Sequence, residues 1–491
     1  MSDTTGGKEF YSALQAKAMD AVKDILKSPL YPIQFPSQGD FFWNYLNSNQ
    51  IFNQGTFDYI SANVSPGDVE GTAKLSTAGS FPNAYVQVLN AMVYSLGTTN
   101  QGKLAAAQSN ASTQAGAIIT DYQNIFGNIT DAQMQTAQVT TKQDYVISYV
   151  LGSQWSGKGA ANPLTYTDMA NARNLKALLP KMPSSGDQVV TDVTIYLNLM
   201  QPVNALSDAL QNGALILRSL KNNTQSPADS NGGMKTFNPQ TGAVSSVNQV
   251  GYGISSAIQS ITNDLQNTGR TISLGMTTSQ ASGGNVSVSV EGQAGFSIGS
   301  WLTFSTTASA SYDMSKAQGT STNAKITIEY KGYSLVPMAS TAWQQATNIG
   351  WYYGDPIAQA VQNIGKDVDG FKFVSPSPYK MGAFEGGGNF GLLTNLLIAN
   401  YPTISITYSN ANFSSFKESW KENVSGNLTL FGFIKLGSFS QGAYGSSYTE
   451  GSDNSTFTVT FSASPEVTSV PQNQKTAYVI GGAIANPGVT P

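Results

Sequence analysis

The chain has 491 residues, with 25 lysines and arginines against 29 aspartates and glutamates, and it contains neither cysteine nor histidine. A net charge of −4 supplies no basic field for nucleic acid. The missing residue types exclude disulfides, thiolate nucleophiles, imidazole bases, and nitrogen or sulfur metal ligands. Charged residues make up 11% of the chain, against about 25% in ordinary soluble domains. We therefore expect a non-enzymatic protein without cofactor or metal, whose low charge suits a surface or a self-associating assembly.

The start of the chain, MSDTTGGKEF, has no basic region followed by an apolar region, so it does not match a secretory signal peptide. No uncharged run in the sequence is apolar enough to span a bilayer as a helix. We expect the chain to be made as a soluble protein, and the sequence leaves its compartment, export and surface association open.

The first half of the sequence predicts helices. One apolar stripe runs through residues 9–27, and a second follows Pro82, which is well placed in a first helical turn. Thr130 and Gln133 predict a capping box ahead of a helix over 131–151. Such stripes are typical of the core of a helix bundle.

Further helical patterns alternate with irregular sequence. One runs from 187 to 221, where Pro202 should kink or divide it. Residues 222–247 are rich in turn formers and predict a linker or long loop. Another apolar stripe, over 250–265, predicts one more helix, and a glycine-rich sequence is expected to open a helix at 391–399.

After Arg270 the apolar period changes to two, and an internal duplication begins. The sequence TISLGMTTS at 271–279 is echoed by TISITYSNA at 403–411, and a later match aligns KITIEY at 325–330 with TFTVTF at 456–461. Repeats of this kind decide how a fold is interpreted. We predict two copies of a four-strand unit, near 271–338 and 403–472.

These patterns predict an α+β fold. An N-terminal, mainly helical half precedes a C-terminal antiparallel β region, which is built from two sequence-duplicated β units with a helical insert. The expected domains are a helical domain (1–221), a linker or long loop (222–247), a helix plus the first β repeat (248–340), the helical insert (341–400), and the second β repeat with the C-terminal tail (401–491).

The sequence from 285 to 314, NVSVSVEGQAGFSIGSWLTFSTTASASYDM, alternates without a slip. Its even positions are apolar or small and its odd positions are almost entirely polar. One strand of this length would measure roughly 100 Å, at about 3.3 Å per residue, so we expect a break or bulge near 295–301. The apolar positions assigned to a membrane or assembly hairpin, in both copies, are Val286, Val288, Val290, Phe296, Ile298, Leu302, Phe304, Leu428, Leu430, Ile434 and Leu436.

Glycine-rich and acidic motifs lack the context that catalysis or cofactor binding requires. The Gly-x-Ser-x-Gly sequence at 295–299 has no histidine to activate its serine. Near-matches to a phosphate loop at 97–104 and 152–159 lack the Ser or Thr after the lysine, and Gly-x-Gly-x-x-Gly at 386–391 lacks its downstream acidic partner. The DVDG sequence at 367–370 predicts a turn, or at most a weak calcium contact.

Residues 292–312 carry no charge and fit a membrane-engaging hairpin of a pore-forming, toxin-like protein. A strand of a transmembrane barrel needs about 9 to 11 residues that alternate lipid-facing and lumen-facing side chains. Two copies per chain would supply two hairpins, with the helical half as a receptor domain or clamp. This hypothesis predicts a homo-oligomer, a lipid membrane as partner, and no nucleic acid.

A self-assembling structural or coat protein without a membrane role is the alternative. Low charge, many Asn, Gln, Ser and Thr residues, and duplicated strands favour lateral pairing and lattice contacts. Trp343, Trp351, Tyr352 and Tyr353 could anchor an interface, or could instead form core against the sheet. A sugar-binding β module is a third alternative, although the aromatic residues form no clear platform.

Overall fold

The computed structural model describes residues 30–31, 33–34, 40–41, 52–66, 73–151, 186–238, 241–277, 325–409, 428–430, 434–436, 444–452, 456–463 and 477–488. Within these ranges the chain mixes α-helices with sheets that are mostly antiparallel, so the mixed α+β class is correct. Across the same ranges, no helix combines the length and the apolar character needed to cross a membrane. The helix predicted over 9–27 and the alternating sequence at 285–314 lie outside the described residues.

The α-helices are numbered here in chain order. They are α1 (Gln54–Ile60), α2 (Phe81–Asn90), α3 (Thr98–Phe126), α4 (Asp131–Thr136), α5 (Lys142–Leu151), α6 (Asp187–Gln225), α7 (Ile258–Gln266) and α8 (Asp355–Gln362).

The strands are numbered in the same way. They are β1 (Leu30–Tyr31), β2 (Ile33–Gln34), β3 (Asp40–Phe41), β4 (Phe52–Asn53), β5 (Ala62–Pro66), β6 (Ala73–Ser80), β7 (Met92–Ser95), β8 (Gly233–Met234), β9 (Thr236–Phe237), β10 (Gln249–Val250), β11 (Tyr252–Ile254), β12 (Thr271–Thr277), β13 (Lys325–Lys331), β14 (Tyr333–Ser340), β15 (Gly370–Phe373), β16 (Leu392–Ala399), β17 (Thr403–Ser409), β18 (Leu428–Leu430), β19 (Ile434–Leu436), β20 (Tyr444–Glu450), β21 (Thr456–Ala463) and β22 (Ala477–Ala485).

The described residues form two compact units. The first draws on Met1–Met92, Arg218–Gln362 and Val374–Pro491, and the second on Val93–Leu217 and Asn363–Phe373. The first unit contains both large sheets, and the second contains most of the helical residues.

The second unit is mainly helical, and its helix α4 begins at a cap that the sequence supplies. Thr130 and Gln133 form the predicted capping box at the start of α4. The helix predicted over 131–151 is divided into α4 and α5. Conversely, α6 continues through Pro202 as one helix, so the predicted division does not occur there.

The long helix α3 was not predicted, because its buried face carries a weak apolar signal. Three of its five buried residues are alanines (Ala107, Ala111 and Ala115), and only Ile118 and Tyr122 are large. Ala111, Ala115, Ile118 and Tyr122 pack in one core with residues of α5 and the first part of α6. Small residues at helical spacing therefore form an interface that a search for large apolar residues misses.

The first unit contains two larger sheets. One has the strand order β1-β22-β16-β14-β11, with β3 also on β22, and the other has the order β12-β13-β17-β21-β20. The shorter groups of the first unit are β2-β6-β5, β4-β9, β8-β10 and β18-β19, whereas β7-β15 belongs, apart from Met92, to the second unit. The two larger sheets are joined by short connections: β13 continues through Gly332 into β14, and β16 continues through 400–402 into β17.

Two predicted helices are wrong in whole or in part. The sequence at 391–399 is the strand β16, and the stripe over 250–265 forms β10, β11 and only then α7. In β16, residues on both faces are buried. A strand buried on both faces is apolar almost throughout, and periodicity then cannot distinguish it from a buried helix. The segment 341–400, expected to be a helical insert, contains one α-helix, α8.

Candidate functional site at one end of the five-stranded sheet

Four strands of the five-stranded sheet lie side by side in chain order. β12 pairs with β13, β13 with β17, and β17 with β21, and each pair is antiparallel. The fifth strand, β20, pairs with the outer side of β21. Among the described strands, β12 and β20 are therefore the two edges of this sheet.

The ends of these strands meet at one end of the sheet, which we call the distal end. Thr277, the last residue of β12, lies opposite Lys325, the first residue of β13. Ser409, the last residue of β17, lies opposite Thr456, the first residue of β21. The chain therefore leaves the distal end after β12 and returns there at β13. It leaves again after β17, rejoins the sheet on β20, and then enters β21 from the distal end.

Two long segments connect these strand ends. We call residues 278–324 the first segment and residues 410–455 the second segment, and they differ in length by a single residue. The first contains the long alternating sequence. The second contains the hairpin of β18 and β19 and then β20, which lies back along β21 before the chain turns into β21.

One face of the sheet is buried. The side chains of Ile272, Ile328, Tyr330, Ile404 and Phe461 are between 0 and 4% exposed. Burial of an aliphatic or aromatic side chain of this kind contributes about 1.5–3 kcal/mol. This face fixes the register, because a shift of one residue would turn the buried set toward solvent.

The opposite face carries hydroxyl groups. The Ser405 and Thr460 hydroxyl oxygens lie 3.3 Å apart, and those of Thr407 and Thr458 lie 2.9 Å apart. These pairs bridge β17 and β21 on half-exposed positions. Cross-strand hydroxyl pairs stabilise a sheet modestly, by about 0.2–1 kcal/mol each. The sheet therefore has one apolar, buried face and one polar face that carries hydroxyl groups.

The end of the sheet opposite the distal end is tied to α7 through Asn400, which lies beside Gly332. Gly332 has φ 84°, and its N–H donates to the Arg270 carbonyl oxygen at 2.7 Å. The Asn400 side-chain amide donates to the carbonyl oxygens of Leu265, at 2.5 Å, and Lys331, at 2.7 Å. One side chain therefore joins both strand connections to the end of α7.

A polar cluster reinforces this junction. Arg270 forms an ion pair with Asp264, and the Ser334 hydroxyl donates to Asp264 Oδ2 at 2.8 Å. The guanidinium carbon of Arg270 also lies 4.5 Å from the centre of the Tyr333 ring. These contacts tie the ends of β12, β13 and β17 that are remote from both segments to α7 and to one another.

The structure describes part of the predicted hairpin set. The seven positions of the first segment lie outside the described residues. In the second segment, the backbone of β18 pairs with that of β19, with Leu428 opposite Leu436 and Leu430 opposite Ile434. Alternate positions of a strand share a face, so these four positions share one face of the hairpin.

Trp351 belongs to the core of the first unit. It is 1% exposed, its indole N–H donates to the Gly251 carbonyl oxygen at 2.7 Å, and its ring meets those of Phe81, Tyr85 and Tyr252 edge-on. Burial raises the pKa of Tyr85 well above its usual value, so this phenol stays neutral. The burial of Trp351 favours the core alternative over an interface.

The other three predicted aromatics lie beside that core. Trp343 is buried, and its indole N–H donates to the Ser219 hydroxyl at 3.1 Å. Tyr353 packs against Trp343 with ring centres 5.6 Å apart, and Tyr352 contacts Trp351. Both tyrosines are half-buried. The group is held mainly by contacts within the chain.

The acidic pair of the DVDG sequence caps a helix. Asp369 accepts from the Gly97 N–H at 2.7 Å and from the Asn100 amide at 2.6 Å. Asp367 accepts from the Thr98 N–H at 2.6 Å and also from the Thr98 hydroxyl. Negative charge at a helix N-terminus is favourable, so these carboxylates complete the cap of α3. In the described part of the chain, no group of three or more acidic side chains could hold a metal ion.

Sequence reasoning missed Gly332, Asn400 and the position of β20. Gly332 carries a signal, since a lone glycine between two β patterns often marks a bend. Asn400 and β20 carry none, because their roles depend on contacts between distant parts of the chain.

Comparison with known proteins supplies no relative. No protein-family model, curated protein or solved structure matches the chain.

Proposed function

We propose that this chain is a non-enzymatic protein that engages a lipid membrane and forms an oligomeric pore from its first and second segments. One observation carries the proposal: both segments begin and end at the distal end of one antiparallel sheet, at residues directly opposite each other. The first segment can extend from these anchors as a hairpin that continues β12 and β13 without breaking the sheet. The second can extend in the same way from β17 and β21 once β20 leaves β21.

The lengths of the segments support this function. A tilted strand of about 9 to 11 residues spans a bilayer, and half of the first segment (278–324) exceeds that number. The second segment (410–455) has nearly the same length. Two hairpins would give four strands per chain, which suits the even strand number usual in bacterial transmembrane barrels.

The apolar residues of the sheet and of the first segment share the same parity, on either side of the polar and small residues 278–284. The even-numbered residues Ile272, Ile328 and Tyr330 of β12 and β13 are buried. Even-numbered residues are again the apolar ones between 286 and 304. A hairpin in unbroken register would carry an apolar face toward lipid and a Ser/Thr face toward a wet lumen.

The pairing of the echoed sequences supports two duplicated units. In the first copy Ile272 lies opposite Tyr330, and in the second Ile404 lies opposite Phe461. These residues occupy equivalent places in the aligned sequences. Equal register in both copies is expected if one unit was duplicated together with its hairpin.

A structural or coat function is favoured by a different feature, the edge strand β12. Its sequence, TISLGMT, has no charge and no proline, whereas exposed edges usually carry such protection. Such an edge suits lateral pairing whether or not a membrane is present. A coat protein would therefore assemble without lipid, whereas the proposed pore would form only with lipid.

Release of a dye from liposomes tests the proposal. The wild-type chain should release dye, and Phe296→Asp or Leu302→Asp should abolish release because an ionised side chain on the lipid face of a barrel is destabilising. The matched controls, Ser297→Asp and Thr303→Asp, add the same charge to the lumen face and should retain release.

Gel filtration before and after lipid addition separates the alternatives. A ring-sized oligomer that forms with lipid supports the pore. Large assemblies in buffer without any dye release contradict it and favour the coat function. Equal loss of release in all four variants would refute the assigned alternation.

A further inference from the structure

The five-stranded sheet contains one strand that departs from the internal repeat. β12 and β17 are equivalent strands of the two copies, and so are β13 and β21. In the first copy β13 lies between β12 and β17, that is, between two equivalent strands. In the second copy β21 lies between β17 and β20.

β20 occupies the place beside β21 that the repeat would assign to a strand equivalent to β12 and β17. β20 and β17 are both antiparallel to β21, so β20 runs in the same direction as β17 and β12. A β12 strand from a second chain, paired with β21 as the repeat predicts, would have this direction too. If it were added outside β20 in the orientation of the repeat, it would run parallel to β20 and interrupt an otherwise antiparallel sheet.

β20 also belongs to the segment that the proposed pore requires. The second segment reaches the length of the first only if it includes β20. Extending the second segment as a hairpin therefore removes β20 from the sheet. The outer edge of β21 is then left without its described partner.

The edges that would meet are both uncharged. β12 carries no charged residue, and neither does β21. β20 contains Glu450. Exchange of β20 for a second β12 would therefore join two neutral strands without placing like charges opposite each other.

We propose that β20 is a displaceable edge strand, and that β12 of a second chain replaces it on β21. This inference rests on the proposed function and names its partner as another copy of the chain. The register follows from the repeat. Thr327 of β13 lies opposite Ser405 of β17. The equivalent pair in the proposed contact is Thr458 of one chain and Ser273 of the neighbouring chain.

The contact is heterologous, because β21 of one copy meets β12 of the next. Repetition of a heterologous contact closes into a ring when its rotation permits, and otherwise gives a filament. Each copy would contribute four antiparallel strands to a continuous sheet.

Engineered cysteines test the displacement, and the absence of native cysteine makes each pair unambiguous. Thr458 now lies opposite Thr449 of β20, and directly paired residues are close enough for a disulfide. The double variant Thr449→Cys/Thr458→Cys should lose dye release when oxidised and regain it when reduced. Since one sample is compared in two states, a folding defect cannot imitate this result. Equal release in both states would overturn the proposal.

A second cross-link tests the partner. Chains with Ser273→Cys are mixed with chains carrying Thr458→Cys, brought together with liposomes, and oxidised. Covalent dimers of the mixed type are expected. Ser462→Cys is the matched control, since it lies four residues farther along β21, about 13 Å from the expected contact, and should not cross-link.

The two proposals fail in distinguishable ways. Dye release without the mixed cross-link leaves the pore standing and overturns the strand exchange. Mixed cross-links in an assembly that releases no dye support the exchange and contradict the pore. A wild-type chain that neither assembles nor releases dye contradicts both.

Discussion

Single residues at the junction of the two large sheets determine where the strands bend. Gly332 adopts φ 84°, a backbone conformation that other residues rarely adopt. An added Cβ would lie 2.0 Å from the Leu265 carbonyl oxygen. The neighbouring Asn400 amide binds that same oxygen. Gly332 is therefore required both by backbone conformation and by space.

Gly332→Ala should destabilise the first unit more than Gly387→Ala does. Gly387 has nearly the same φ, 83°, but a Cβ there would meet nothing within 4 Å. Backbone strain costs both variants about 1–3 kcal/mol, and only Gly332→Ala adds the clash with a carbonyl oxygen. Denaturant unfolding measures the difference in the free energy of unfolding. Equal losses would show that the space around Gly332 has no effect.

At the scale of elements, the start of α3 depends on residues far along the chain. Gly97, its N-cap residue, provides no side-chain cap. The carboxylates of Asp367 and Asp369 accept the hydrogen bonds instead. Hydrogen bonds from the Thr98 hydroxyl and N–H lower the pKa of Asp367 below its ordinary value.

Asp367→Ala should destabilise the second unit at neutral pH but have little effect in acid. The folded-state pKa is depressed, so the stabilisation is present above the unfolded-state pKa and is lost as the pH falls through the folded-state pKa. The measurement is thermal unfolding of both proteins across this acidic range. Asp208→Ala, which removes the same charge from an exposed position of α6, is the control. A constant difference between wild type and Asp367→Ala at every pH would contradict the cap.

Element types followed from sequence where one face alone is buried. β12, β13 and β17 alternate clearly, and α2 begins at Phe81 with Pro82 in its first turn, as its pattern indicates. β16 was mistaken for a helix because both of its faces are buried. The long helix α3 was missed because alanine carries most of its interface. A local sequence pattern predicts the type of an element from its buried face. The prediction fails where both faces are buried or where the buried residues are small.

At the scale of the whole molecule, the sequence indicated two alternating segments but not where they are attached. Their common origin at the distal end depends on pairing between residues far apart, such as Lys325 with Thr407. Those pairings are set by the whole sheet, not by local preference. The same holds for β20, whose place beside β21 follows from a pairing that its own sequence does not specify.

The central claim is that the first segment enters a membrane with alternate residues facing lipid. Its most direct test places single cysteines at successive positions from 296 to 303, labels each with an environment-sensitive fluorophore, and records emission as liposomes are added. Even positions, including Phe296, Ile298 and Leu302, should become brighter in lipid, while Ser297 and Thr303 should stay near their values in water. Emission that does not change with lipid, or that changes without a period of two, would contradict the account.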